Sequence, residues 1–130
     1  MFEFLKQRGL RFLEEAVGDY EKEYYDFCLF HTEQMLQLLL KYLIAVKTDD
    51  FPRIHSISKL FRNVAELYGD NVMEFYKDNV SIIIALEEAY IGARYVDIEF
   101  NKEIAGEAIK FGEIFMKLVE ELSTYGSGNH

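Results

Sequence analysis

The stretch Tyr90-Ile91-Gly92-Ala93-Arg94-Tyr95-Val96-Asp97 ends a long apolar run and stands ahead of the last helical segment of the chain. Its reading decides between a mixed and an all-helical fold. The β-branched cluster Val80-Ser81-Ile82-Ile83-Ile84 is the strongest strand signal present, but it continues into Ala85-Leu86-Glu87-Glu88-Ala89, a helix-favouring continuation. Read as helix, Tyr90, Arg94 and Asp97 fall at i, i+4 and i+7 on one face, where an arginine reaches a carboxylate three residues on. A guanidinium fork beside two tyrosines is either a buried structural clasp or one wall of a site for a planar or phosphorylated ligand. Both readings stay open on residue chemistry alone.

Working outward, the same periodicity gives about five helices and no linker, so the expected fold is all-α, an up-and-down antiparallel bundle in one domain over 1–125 with a frayed tail at 126–130. The first helix runs from about Phe4 to Glu21, its stripe being Phe4, Leu5, Phe12, Leu13, Ala16 and Tyr20. The second runs from about Tyr24 to Val46 and is broken by Thr48-Asp49-Asp50-Phe51-Pro52, because proline restrains the residue before it. Ser56 is a candidate N-cap for the third, which ends at Gly69. The fourth spans about Val72 to Tyr95 with a bend at Asp78-Asn79. Asn101 caps the fifth, from Lys102 to Leu122. In the second helix Glu33, Gln34, Gln37 and Lys41 fall within an arc of roughly 100°. The remainder is apolar, so this helix is either central in the bundle or buried at a subunit contact.

At 130 residues, half of them apolar with eleven Phe, nine Tyr and no Trp, the chain has material for one core without staples. Its single cysteine, Cys28, has no partner for an intramolecular disulfide and reads as a buried small hydrophobe. Met1-Phe2-Glu3-Phe4 lacks a basic n-region followed by an apolar stretch, and no apolar run is long enough to cross a bilayer. A reducing, cytoplasmic setting without membrane contact is the expectation. A net charge of −9 opposes free-standing nucleic-acid binding, and Lys6, Arg8 and Arg11 read as part of a solvated face. His31 and His55 have no ligand-spaced neighbours, so no metal is expected, and no glycine-rich phosphate loop is present.

Three segments carry a family resemblance. Tyr90 to Asp97 (Tyr-Ile-x-Ala-Arg-Tyr-x-Asp) is similar to the signature of the HEPN domain, a small all-helical family. Phe30 to Lys41 (FHTEQMLQLLLK) resembles that family's second helix, and His55-Ser56-Ile57-Ser58-Lys59-Leu60 resembles its His-Asp-Leu-x-x-Leu turn. The likeness runs from about Leu10 to Leu122. It departs from the family pattern at Gln37, where Glu is usual, at Ser56, where Asp is usual, and at Val96, where Pro is usual. The resemblance implies a homodimer and a bound nucleotide as the one ligand. Arg94, beside Asp97, would face phosphate, Tyr90 or Tyr95 would stack on a base, and Lys41 and His55 would make further contacts. It also implies a minimal nucleotidyltransferase as partner, in a toxin–antitoxin-like module. Many members are metal-independent ribonucleases carrying Arg, four to six residues, then His. After Arg94 come Tyr95, Val96, Asp97, Ile98, Glu99, Phe100 and Asn101, with no histidine. Arg62 to Tyr68 mimics a tyrosine-ended variant, but in the third helix. A non-catalytic binding or regulatory subunit is therefore expected. The alternative is an HEPN endoribonuclease or nucleotide-processing enzyme.

Overall fold

The computed structural model of the chain describes residues 1–95 and 100–128, with the side chains of 93, 94 and 125–128 outside that description. Its elements are α1 (Glu3–Glu21), α2 (Tyr25–Thr48), α3 (Ile57–Tyr68), α4 (Asn71–Asp78), α5 (Val80–Tyr95) and α6 (Lys102–Gly128). Among the described residues all regular structure is helical, as the periodicity requires. Six helices replace the expected five because the bend foreseen at Asp78-Asn79 is a complete break. There the Asn79 side-chain amide donates to the Phe75 carbonyl at 2.9 Å, and its backbone N–H donates to Phe75 and Tyr76. A short amide that takes up these carbonyls diverts the chain from continuing the helix.

Local chemistry sets the other boundaries. Asp49, in the left-handed region with φ 66°, closes α2 before Pro52. The Ser56 hydroxyl accepts from the Lys59 N–H at the start of α3, and Gly69, with φ 118°, ends that helix. The Asn101 side-chain Oδ1 accepts from the Ile104 N–H at 2.9 Å, and α6 continues past Leu122 to Gly128.

α2 is the axis of the bundle, touching α1, α3, α5 and α6. Its residues Cys28, Leu29, Met35, Leu36, Leu39, Leu40 and Leu43 are fully enclosed. Its wide apolar surface is thus covered within one chain, which is the central alternative of the two left open above. α1 and α2 run in opposite senses. Gly9 lies against Leu39, so closely that an added Cβ would sit 3.0 Å from the Leu39 Cγ, while Asp19 lies against His31 near the connecting turn. α5 returns antiparallel to α2, with Tyr90 against Phe30, and α6 runs parallel to α2, with Gly112 beside Met35 and the Ala105 carbonyl beside the Cys28 thiol. The order α1, α2, α5, α6 therefore alternates up and down. α3 and α4 close one side through Phe61 and Phe75, which pack on Phe111 and Phe115 of α6. Among the described residues no helix is long and apolar enough to cross a membrane.

Candidate ligand-binding site

The polar arc of α2 is not a solvated strip. Among the described residues Thr32, Glu33, Gln37 and Lys41 are the buried polar ones, and the last three recur every four residues along one side of the helix. An inward polar row needs its own hydrogen bonds, because an unpaired buried polar group costs free energy. Here a side-chain network supplies them. Glu33, 1% exposed, accepts from the Gln34 amide on one oxygen and the Gln37 amide on the other, each at 2.8 Å. The Gln37 amide also donates to the His55 carbonyl at 3.1 Å, which ties α2 to the segment before α3. With both amide hydrogens engaged, Gln37 Oε1 faces the His55 ring at 3.3 Å. In this arrangement the His55 Nδ1–H donates to Gln37 Oε1.

The electrostatics of the row follow from its burial. Desolvation pushes the Glu33 carboxyl up to about 7, while the hydrogen bonds from Gln37 and Gln34 pull the other way. Glu87 of α5 is raised for the same reason. Lys41 is lowered by burial, then by the Arg53 cation, with the Glu33 charge opposing.

An aromatic ladder borders the row. Tyr90, on α5, lies between Phe30 of α2 and His55, with both ring centroids 6.3 Å away and the planes within 18° and 23° of parallel. Half-buried Tyr90 is therefore held by protein rings on two sides. Of the residues expected from sequence, His55 meets Gln37 of the row and the Tyr90 ring, while Lys41 lies one helical turn beyond Gln37 on α2. Tyr95 ends α5 at 74% exposure, five residues from Tyr90 and so on another face. Arg94 belongs to α5 one turn beyond Tyr90, but its side chain lies outside the described residues, as does Asp97. The expected Arg94–Asp97 clasp therefore also lies outside the described residues.

Sequence reasoning passed over Glu33 and Gln37 as site residues. The signal that pointed to them is their four-residue spacing with Lys41 on an otherwise apolar helix. His31 belongs elsewhere. It sits between the rings of Phe12 and Phe27, its Nδ1 is 2.5 Å from Asp19, and its Nε2 is 3.3 Å from Glu15, so it fastens α1 to α2. Lys6 pairs with Glu120 at 2.9 Å and Arg8 lies over Phe4, so the basic cluster near the start is partly engaged. Among the described residues no group of three acidic, histidine or cysteine side chains is placed to hold a metal ion.

A family model described as HEPN domain matches residues 2–122. No curated protein matches the chain.

Proposed function

The chain belongs to the HEPN family, and from that premise we propose that it is a non-catalytic, nucleotide-binding regulatory subunit. Its ligand site is the polar row of α2 with the His55–Tyr90 ladder. It pairs with a second copy of itself and serves a minimal nucleotidyltransferase in a toxin–antitoxin-like module. The observation that carries the reading is the row itself. A central helix keeps a carboxyl group, an amide and a lysine among its buried residues, bordered by stacked rings, where leucines would pack at less cost. Such convergent polar groups beside aromatic surface suit a ligand with a planar part and a charged part. Against nuclease chemistry stands the sequence, which has no histidine between Arg94 and the terminal His130. The −9 charge repels RNA, whereas it favours encounter with a basic protein partner.

The test is thermal unfolding of the purified chain with a panel of nucleotides, together with co-purification with a nucleotidyltransferase encoded beside it. A nucleotide at about a hundred times its dissociation constant should add about 2.7 kcal/mol of stability. If no nucleotide raises the midpoint and the two proteins ignore each other at moderate salt, the reading fails. RNA cleavage above a mock preparation that disappears in Arg94→Ala or His55→Ala would install the ribonuclease alternative.

A further inference from the structure

His55 is an exposed residue whose ring is nevertheless held from two directions. Its Nδ1–H donates to Gln37 Oε1 at 3.3 Å, and the Gln37 amide donates to the His55 carbonyl at 3.1 Å. Gln37 is itself 5% exposed and anchored on Glu33 by a 2.8 Å hydrogen bond. The imidazole also lies against the Tyr90 ring, with centroids 6.3 Å apart and planes 23° from parallel. Behind it, Tyr90 meets Phe30 at the same spacing and 18°. These are the separations of offset-stacked rings. A solvent-facing side chain ordinarily exchanges rotamers, and fixing one of them costs conformational entropy. Here the ring is ordered before any ligand arrives, so a ligand that uses it has less to immobilise. The two ends of the ladder differ. At the inner end Phe30 is met edge-on by Phe27 and His31. At the outer end, among the described residues, Tyr90 is the ring neighbour of His55 and the rest of the imidazole is exposed.

Resting on the nucleotide-binding reading of this site, we propose that His55 is the platform for the planar part of the ligand. The base lies on the side of the imidazole away from Tyr90, as the next rung of the ladder, and Tyr90 backs it. This moves the stacking role from the two tyrosines expected to fill it. Tyr90 already lies between protein rings, and Tyr95 stands on another face of α5. Stacking on a ring face is indifferent to the pattern of groups on the edge of the base, so the platform selects a flat heteroaromatic ring and not one particular base. The occupant is the base of a single nucleotide, because a strand would bring a run of phosphates to a chain of net charge −9.

Titration calorimetry with adenosine, AMP and inorganic phosphate tests this on the intact chain and on His55→Leu and His55→Phe. Leucine removes the ring, whereas phenylalanine keeps a face for stacking and removes the ring nitrogens. His55→Leu should weaken adenosine and AMP about tenfold and leave inorganic phosphate unchanged. His55→Phe should hold both close to their wild-type affinities. Undiminished adenosine binding by His55→Leu, or a loss in His55→Phe as large as in His55→Leu, overturns the proposal and leaves the nucleotide reading standing. Adenosine bound through His55 as tightly as AMP upholds the proposal and turns the nucleotide reading into a nucleoside one. If neither adenosine nor AMP binds the wild type, both are overturned. Should a variant fail to fold, proton NMR of the wild type decides. A base stacked on the imidazole moves the His55 ring-proton signals upfield as adenosine is added, and inorganic phosphate does not. His55 signals that stay in place with adenosine bound overturn the proposal.

Discussion

Glu33 couples the site to pH. Its carboxyl titrates near 7 when folded against an ordinary value of 4.5, because burial penalises the charge. A carboxyl with a raised folded pKa holds its proton more tightly in the native state. The stability this contributes is complete below about pH 4.5 and is lost as pH rises through 7. The shift corresponds to about 3 kcal/mol, and Glu87 acts in the same direction. Glu33→Gln should therefore flatten the pH profile, and the difference in urea stability between wild type and variant should change by about 3 kcal/mol from pH 4.5 to 8. A difference that stays constant with pH would place the Glu33 carboxylate in water. Periodicity identified Glu33, Gln37 and Lys41 as one side of a helix, but it does not reveal what lies opposite. The segment that brings His55 to Gln37 is eighteen residues away in sequence, and only packing determines that it covers the row. This is why Lys41 and His55 were legible singly and their environment was not.

At the scale of elements, α1 offers a paired comparison. A Cβ at Gly18 would meet nothing within 4 Å, whereas one at Gly9 would press on Leu39. Gly18→Ala should stabilise by about 0.5–1 kcal/mol through backbone entropy. Gly9→Ala should destabilise by about 1–2 kcal/mol as α1 is pushed off α2. Equal gains in the two urea midpoints would mean that α1 does not seat closely on α2. At the start of α6, Asn101→Ala should cost about 1 kcal/mol in the same measurement, the usual loss for an N-cap whose oxygen holds a backbone N–H. These caps and the Pro52 break were readable because they are local chemistry. The division of α4 from α5 was legible only as a bend, since a single asparagine carries it and its side chain chooses between solvent and carbonyl according to its surroundings.

For the whole molecule, enclosing α2 within one chain moves the question of self-pairing to α5. Ile84 and Ile91 lie seven residues apart and are 49% and 55% exposed, on a face with Tyr95. Sedimentation equilibrium at micromolar concentration should give about twice 15.3 kDa for the wild type, and the monomer mass for the double variant Ile84→Glu, Ile91→Glu. A monomeric wild type would remove the homodimer. The breadth of apolar surface on α2 was evident from its leucines. Whether another helix or another subunit covered it depends on where α5 and α6 return, which no local pattern encodes. Cys28 draws a kinetic consequence from that enclosure. Its thiol is fully buried between α2 and α6, and burial pushes it up to about 12, so an alkylating reagent has neither access nor thiolate until the two helices part. The chain thus carries one intrinsic clock. Its labelling half-life reads the lifetime of the α2–α6 contact and should lengthen when a ligand or partner holds the bundle shut.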